Sequence, residues 1–281
     1  MNSEPSSSPA ETNEVEATSR SPQVRLLFIA DVFGPPGMDI LSRLLPGLIH
    51  SHKADVVIVN GENAHAGRGL DPSQAKTIFE LGADVITSGN HIWDHAPIRK
   101  EFHNLPKLLR PLNYPPSAGG RGSVLVETKA GIPVAVINLQ GRLFLPSIDC
   151  PFRTAEREVV GLAEKTKIIF IDFHAESTAE KQALGWFLDG KVSAVIGTHT
   201  HVPTADARIL PEGTGYLTDA GMTGSFDSVI GMQTNVAIKR MITQTPHPFQ
   251  VADQNLRLCG VLLDIETETG RCAAIERIEL P

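Results

Sequence analysis

Residues 167–174 read KIIFIDFH, a mainly apolar run that ends in a histidine. Such a run is typical of a strand that is buried on both faces of a sheet. Similar runs occur at 25–30 (RLLFIA), 55–60 (DVVIVN), 84–87 (DVIT), 133–139 (PVAVINL) and 193–197 (SAVIG). They alternate with segments of helical spacing, which predicts a layered α/β fold.

The segments between and after these runs predict further elements. Helices are expected at about 38–50, 71–82, 94–104, 153–165 and 178–189. Antiparallel hairpins are expected at 124–128 with 133–139 and at 256–265 with 272–279. Hairpins added to such a series indicate a second sheet or a mixed edge of one sheet. Cys259 and Cys272 could face each other across the second hairpin, or be separate buried side chains.

Composition limits the domain organisation and the class of protein. The chain has 281 residues and a formal net charge of -7, without a long Lys/Arg run. This balance disfavours a duplex nucleic-acid binder, which would present a basic face. Residues 1–22, rich in Ser, Pro, Glu, Thr and Ala, are predicted to be a disordered acidic tail. Residues 23–281 contain no linker and are predicted to form one domain.

The sequence also predicts a cellular compartment. No apolar run reaches the ~20 residues of a membrane span, and the N-terminus lacks the basic and apolar regions of a secretory signal. The 3 cysteines are too few and too scattered for a disulfide framework. We therefore expect a cytoplasmic protein that does not contact a membrane.

Side chains that can bind metal directly follow five of the predicted strands. They are Asp31, Glu62, Asn63, Asn90, His174, His199 and His201. Ligands of α/β sheets bind outside the carboxyl ends of strands, so these side chains would converge on one crevice if the strands are parallel neighbours. Taken singly, each has an ordinary explanation: a helix cap, a polar turn or a hydrogen-bonded interior histidine. Their joint occurrence favours a metal site.

The donor types narrow the choice of metal. Carboxylates, amides and imidazoles together suit Mn²⁺, Fe or Zn²⁺ better than Ca²⁺ or Mg²⁺, which prefer oxygen ligands. Seven donors exceed what one tetrahedral ion needs. They suit two divalent ions about 3.5–4 Å apart that share a carboxylate. No cysteine joins the set, which excludes a Cys-rich structural zinc site.

Several of these motifs resemble a known family. Residues 89–91 (GNH) and 197–201 (GTHTH) resemble the GNH and GHxH elements of the calcineurin-like metallophosphoesterases. Together with 31–34 (DVFG), 61–63 (GEN), 89–94 (GNHIWD), 173–176 (FHAE) and 219–224 (DAGMTG), the series is similar to the YmdB-type bacterial branch. The resemblance covers residues 24–281. It implies a four-layer α/β/β/α sandwich of two mixed sheets with flanking helices, and it implies homo-oligomers.

The resemblance also implies how the ligands divide. One metal would be held by Asp31, Glu62, Asn63 and His201, and the other by Glu62, Asn90, His174 and His199. Glu62 would then bridge the two ions. The wider superfamily has a bridging Asp, and it places a histidine where this chain has Phe33. Asn63 would replace that histidine, as in the YmdB-type branch.

The implied activity is hydrolysis of phosphate diesters, with 2',3'-cyclic nucleotides and RNA as substrates. Two ions would activate a water to hydroxide for in-line attack on phosphorus. His91, one residue past Asn90, is the candidate to stabilise the phosphate or to protonate the leaving oxygen, and Asp94 could orient it. Arg68, Met222 and Thr223 are candidate substrate contacts because they lie in glycine-containing polar loops.

Other functions remain open at this point. The same site could belong to a phosphomonoesterase or to an RNA nuclease. A metal-dependent regulatory module without turnover is a further alternative, although all seven ligand positions hold competent residues. A metallo-β-lactamase-type hydrolase is disfavoured because the chain contains no HxHxDH motif.

Overall fold

Two mixed β-sheets form the centre of the protein in a computed structural model, which describes residues 22–281. The predicted tail therefore lies outside the described residues, apart from Pro22. The strands are β1 (Gln23–Ile29), β2 (Val56–Asn60), β3 (Val85–Thr87), β4 (Ser123–Glu127), β5 (Pro133–Gln140), β6 (Ile168–His174), β7 (Ala194–Thr198), β8 (Arg208–Ile209), β9 (Gly215–Leu217), β10 (Gly224–Ser225), β11 (Leu256–Glu266) and β12 (Cys272–Leu280). The helices are α1 (Gly34–His52), α2 (Pro72–Glu80), α3 (Ile98–Glu101), α4 (Pro151–Ala163), α5 (Thr178–Phe187) and α6 (Thr234–Thr243).

Each sheet combines a parallel core with antiparallel edges. The first sheet has the order β10-β11-β1-β2-β3, and β12 pairs with β11. Strands β1, β2 and β3 run parallel, and β11 is antiparallel to β1. The second sheet has the order β4-β5-β6-β7-β9-β8, with β5, β6, β7 and β9 parallel. Both predicted hairpins are present, as β4 with β5 and as β11 with β12.

Alternate residues of the strands face different layers of the core. Phe28 of β1 packs between the sheets against Phe170 of β6, with ring centroids 5.2 Å apart. Leu27 and Ile29 of β1 lie instead in the cluster that contains the buried residues of α1 and α2. Likewise, Ile169 of β6 lies with the buried residues of α4 and α5. This gives helix, sheet, sheet and helix layers, which confirms the predicted four-layer α/β/β/α sandwich.

The predicted helix at 94–104 is wrong in its extent. The chain forms a short 3₁₀ turn at Asn90–Trp93, and α3 follows only from Ile98 to Glu101. Pro97 explains the break, because proline lacks a backbone N–H and disfavours the helical conformation of the preceding residue. The structure also contains α6 and the short strands β8, β9 and β10, which are not among the predicted elements.

The two cysteines of the terminal hairpin do not face each other. Cys259 pairs with Glu279, whereas Cys272 pairs with Ile265. Both side chains are buried, in agreement with the alternative of separate core residues. Of the helices in residues 22–281, none is both long and apolar enough to cross a lipid bilayer.

Candidate metal centre

The predicted ligand residues all lie where parallel strands end. Asp31 follows β1, Glu62 and Asn63 follow β2, Asn90 follows β3, His174 is the last residue of β6, and His199 and His201 follow β7. These strands belong to two different sheets. The crevice is therefore formed where the carboxyl ends of both parallel cores meet, and not along one sheet as the sequence pattern alone would allow.

Glu62 lies at the middle of this group. Its Oε1 is 2.9 Å from His174 Nε2 and accepts a hydrogen bond from Asn63 Nδ2 at 2.9 Å. His174 Nε2 is also 3.2 Å from Asn90 Oδ1 and 3.0 Å from His199 Nδ1. Glu62, Asn90, His174 and His199 thus present their donor atoms to one small region, as the implied ligand set for the second metal requires.

The other implied ligand set surrounds Asp31. Its Oδ2 is 3.7 Å from His201 Nε2, which is 3.2 Å from Asn63 Nδ2. Asp31 Oδ1 and Asn63 Oδ1 are buried, and neither has a hydrogen-bond partner within residues 22–281. Buried polar atoms are normally paired. Both unpaired oxygens belong to side chains whose other polar atom lies near His201 Nε2, and a bound cation would give them a partner. These residues therefore fit a metal site.

The second nitrogen of His174 is held by a buried relay. Thr198 donates to Asp172 Oδ1 at 2.7 Å, so the Thr198 hydroxyl accepts from His174 Nδ1 at 3.0 Å. Asp172 Oδ2 further accepts from Thr87 at 2.5 Å and from Asn60 at 2.8 Å. Nδ1 of His174 therefore carries a proton, and the ring is turned so that Nε2 faces Glu62, to which its N–H donates at 2.9 Å. Such partners behind a ligand fix its tautomer and orientation.

The other two imidazoles are held in a similar way. His201 Nδ1 donates to the Ile230 carbonyl at 3.0 Å, which leaves Nε2 for Asp31 and Asn63. His199 Nε2 lies 3.0 Å from Glu176 Oε2, which leaves Nδ1 for the centre. All three histidines therefore use one nitrogen for the centre and the other for an orienting partner. This division is typical of metal-binding histidines.

Electrostatics within the protein also suits a cation. Burial, partly offset by His174, raises the pKa of Asp31 well above its usual range. Burial and the nearby His174 lower the pKa of His199 to about 3, and burial lowers that of His201. Burial raises the pKa of Glu62, but the charge and hydrogen bond of His174 outweigh this effect and bring it to about 2. Burial lowers the pKa of His174, but the charge and hydrogen bond of Glu62 outweigh this effect and raise it to about 9. His199 and His201 are therefore neutral, as ligating imidazoles must be, whereas His174 would release a proton when a cation binds.

His91 and Asp94 lie at the rim of the same crevice. The crevice has a volume of about 460 Å³ and is lined by Glu62, Arg68, His91 and His199, among others. His91 Nδ1 donates to Asp94 Oδ2 at 2.8 Å, and the backbone N–H of His91 donates to Glu62 Oε2 at 3.2 Å. Arg68, whose side chain is 60% exposed, places Nε 3.1 Å from Asp94 Oδ2. The three predicted rim residues are thus in mutual contact.

The two predicted contacts in the 219–224 loop are placed differently. Thr223 is fully buried, and its hydroxyl donates to the Cys259 carbonyl at 3.3 Å. Met222 is 2% exposed and lines a smaller neighbouring pocket with His201 and Ile230. Neither side chain lines the crevice of the metal centre. The glycines of this loop suggest an accessible substrate loop, but its backbone pairs with the segment after β1 and is covered.

Several residues of the site have no counterpart in the sequence prediction. Arg240 and Phe249 line the crevice, and they come from α6 and the segment that follows it. The sequence prediction assigns them no role because it does not include α6, although this helix could have been indicated by the apolar spacing of Ile238, Met241 and Ile242. Asp172 could have been found, since an acidic residue within a doubly buried strand needs buried partners. Glu176 belongs to one of the quoted motifs, but the motif assigns it no role.

Comparison with known proteins agrees with this geometry. The family model described as YmdB-like protein matches residues 27–278. The chain belongs to the YmdB-like family. A 2',3'-cyclic-nucleotide 2'-phosphodiesterase of Bacillus subtilis (strain 168) is 48% identical over 255 residues, which cover 91% of this chain and 96% of that protein. The resemblance inferred from the motifs is therefore confirmed.

Solved structures of similar proteins have the same fold as this YmdB-like chain. The crystal structure of a hypothetical protein from Thermus thermophilus has a TM-score of 0.85 and 40% identity, and covers 92% of this chain and 100% of that one. The crystal structure of a novel phosphatase from Mycoplasma pneumoniae has a TM-score of 0.86 and 33% identity, and covers 92% and 94%.

Proposed function

We propose that this YmdB-like protein is a metal-dependent phosphodiesterase that hydrolyses 2',3'-cyclic nucleotides, and that residues 23–281 form its catalytic domain. The observation that carries the proposal is the convergence of seven donor side chains from two sheets on one crevice, around Glu62. The similarity of this chain to a relative named as a 2',3'-cyclic-nucleotide 2'-phosphodiesterase supports the substrate class.

The proposed ligand sets meet at Glu62. Asp31, Glu62, Asn63 and His201 would hold one divalent ion, and Glu62, Asn90, His174 and His199 the other. Mixed oxygen and nitrogen donors favour Fe, Mn²⁺ or Zn²⁺. Two such ions supply charge neutralisation for a phosphate ester and a water of lowered pKa as the nucleophile.

The residues at the rim have separate tasks. Because Asp94 holds Nδ1 of His91, the other ring nitrogen is free to protonate the oxygen that leaves phosphorus. Arg68 presents an exposed guanidinium beside this pair, which suits a non-bridging phosphate oxygen. The His91–Asp94 contact also fixes the ring at the rim before substrate binds.

The apolar side of the crevice suits a nucleoside. Phe33 and Phe249 line it together with Ile230 and Met232, and the rings of Phe33 and Phe249 are 5.9 Å apart. Aromatic faces bind nucleobases without strong sequence preference. A volume of about 460 Å³ lies in the usual range for sites of small molecules. A mononucleotide diester is therefore favoured over a bare phosphate monoester, and short RNA remains a second candidate substrate.

The decisive experiment compares two histidine variants in metal content and in hydrolysis of 2',3'-cyclic AMP. His201→Ala should lose metal and activity together. His91→Ala should keep its metal, while kcat falls ~10²–10⁴-fold, the usual contribution of an acid–base group. His50→Ala, an exposed position on α1, serves as the matched control and should match the wild type.

Parallel assays with a phosphomonoester and with RNA separate the alternatives. If the protein turns over the phosphomonoester or RNA faster than 2',3'-cyclic AMP, that substrate and not the cyclic diester is the preferred one. Full metal occupancy without hydrolysis of any ester would support the regulatory alternative instead. Equal activity of His201→Ala and the wild type would refute the proposed centre.

A further inference from the structure

A second group of metal-capable side chains lies outside the proposed centre. His65, Asp71 and His95 each offer one ligand atom, and these atoms all lie within 4.8 Å of one another. His95 Nε2 is 2.9 Å from Asp71 Oδ2, and the ring centroids of His65 and His95 are 3.9 Å apart. None of the three residues takes part in the function proposed above.

The carboxylate of this group is held in place by the start of α2. Asp71 caps the helix, and its Oδ1 accepts from the Ser73 backbone N–H at 2.8 Å and from the Ser73 hydroxyl at 2.5 Å. Its own backbone N–H donates to Gln74 Oε1 at 3.1 Å, which completes a capping box. The carboxylate cannot rotate freely, so Oδ2 remains directed towards His95. Hydrogen bonds from Ser73 also lower the pKa of Asp71, which keeps it ionised.

The two histidines are held by backbone contacts. The His65 N–H donates to the Gly69 carbonyl at 2.8 Å, which closes a tight loop. Gly69 has φ +80°, and a Cβ there would lie 2.9 Å from the Cβ of His95. Glycine therefore lets this loop lie directly against the His95 backbone. Gln74 of α2 donates to the Ala64 carbonyl at 2.9 Å and ties the same loop to the helix that Asp71 caps.

From this arrangement we propose that His65, Asp71 and His95 form an additional binding site for a divalent cation of the Zn²⁺ class. In many zinc sites the protein supplies two imidazoles and one carboxylate as ligands, and water is the fourth ligand. Adjacent donors around a tetrahedral ion lie about 3.3 Å apart, given metal–ligand distances of about 2.0–2.1 Å. The 2.9 Å contact between His95 and Asp71 is close to that spacing.

Solvent can reach the site. The side chains of His95 and Asp71 are 21% and 31% exposed, so an ion and its water can enter without opening the fold. Ligand atoms of intermediate softness, two nitrogens and one oxygen, favour Zn²⁺, Ni²⁺ or Cu²⁺ over Mg²⁺.

An ion here would tie two segments of the catalytic rim together. Arg68 lies in the loop between His65 and Gly69, and His95 directly follows Asp94 in the chain. A shared ion would join the loop that carries Arg68 to the segment that carries His91 and Asp94. It would stabilise the rim while remaining separate from the seven ligands of the centre.

The test measures how many Zn²⁺ ions each chain binds. Wild type, His65→Gln and Asp71→Asn are dialysed against Zn²⁺ and their bound metal is determined by elemental analysis. Asparagine remains a good helix cap, so Asp71→Asn removes the carboxylate ligand while α2 keeps its start. His103→Gln, at an exposed position, is the matched control for His65→Gln.

Both site variants should bind one equivalent of Zn²⁺ fewer than the wild type, and His103→Gln should bind as many. The difference is measured between variants, so it does not depend on how many ions the centre itself holds. Zn²⁺ should also raise the Tm of the wild type more than that of either site variant. Equal stoichiometry in all four proteins, or an equal loss in His103→Gln, would overturn the proposal.

Discussion

Replacing Gly89 with alanine tests how closely the backbone must approach the metal centre. Gly89 precedes the proposed ligand Asn90 and has a negative φ of -153°, so the substitution tests space and not left-handed backbone. A Cβ at this position would lie 2.2 Å from His174 Cδ2 and 2.3 Å from Glu62 Oε2. Ordinary contacts between carbon atoms are about 3.5 Å. One or both side chains must therefore move by about 1 Å.

A shift of this size is large for a metal site. Ligand distances in a competent site hold to within about 0.2 Å, so a movement of about 1 Å in Glu62 or His174 would remove the proposed binding geometry. Overpacking also costs about 1–3 kcal/mol of folding free energy. In a protein of this size each kcal/mol shifts Tm by roughly 2–4 °C. We expect Gly89→Ala to lose most of its metal and to unfold roughly 2–12 °C lower.

Elemental analysis and thermal unfolding followed by circular dichroism check this expectation. Gly161→Ala in α4 is the matched control, because a Cβ there meets no atom within 4 Å. That variant should keep its metal, and its stability should be unchanged or up to about 1 kcal/mol higher, since alanine is favoured over glycine in helices. A Gly89→Ala protein with full metal content and an unchanged Tm would refute the role of the close approach.

Two further outcomes follow from the side chains around the site and the core. Glu176→Gln replaces the carboxylate partner of His199 by a neutral amide. Metal affinity, measured by competition with a chelator, should fall about 10-fold. An unchanged affinity would contradict this role of Glu176. Iodoacetamide at pH 8 should label Cys150 alone in the folded protein, because burial raises the pKa of Cys259 and Cys272 to about 12 and suppresses their thiolates. Intact mass should show one adduct before denaturation and three after it; a second adduct on the folded chain would contradict this.

Much of the fold was predictable because its strands are buried on both faces. In β6, for example, Phe170 packs between the sheets while Ile169 packs under the outer helices, so the run must be apolar throughout. Such runs are visible without knowing which strands pair. The order of the strands was not predictable, because a doubly buried strand fits equally well into either sheet.

Two helices differ from the sequence prediction, each for its own reason. Helix α6 does carry an apolar stripe, because Ile238, Met241 and Ile242 are spaced i, i+3 and i+4, but the stripe is exposed and the helix buries only Ala237. The prediction of a helix at 94–104 is based on the apolar spacing alone and ignores Pro97, which interrupts the helix. The first helix could therefore have been predicted from its spacing, and the second shortened by giving weight to Pro97.

The candidate ligands were predictable for a topological reason, but their support was not. A side chain that follows a parallel strand has its position set by that strand, so Asp31 and Glu62 could be grouped from sequence alone. Asp172 can be recognised from sequence as a buried acid, but its contact with His174 through Thr198 cannot, because its partners come from two sheets. Contacts of this kind depend on how the sheets pack, which no local pattern encodes.

The backbone of His199 and His201 shows why a buried ion pair lies next to the proposed centre. His199 and His201 have φ of 98° and 66°, conformations that cost a non-glycine residue about 1–3 kcal/mol. The turn between them is fixed by Asp219, whose Oδ2 accepts from the Thr200 N–H at 3.1 Å and from its hydroxyl at 2.6 Å. Lys181 donates to the same oxygen at 2.7 Å.

This lysine and aspartate are buried, with side chains 1% and 0% exposed. Taking an ion pair out of water costs more than it returns unless the geometry is good and the remaining sites are bonded, and an apolar pair of equal volume would often stabilise the fold as well. An apolar pair, however, could not accept the two hydrogen bonds of Thr200. The turn would then lose the hydrogen bonds that offset the positive φ of His199 and His201. The buried pair is therefore explained by the orientation of His199 and His201 and not by the stability of the core.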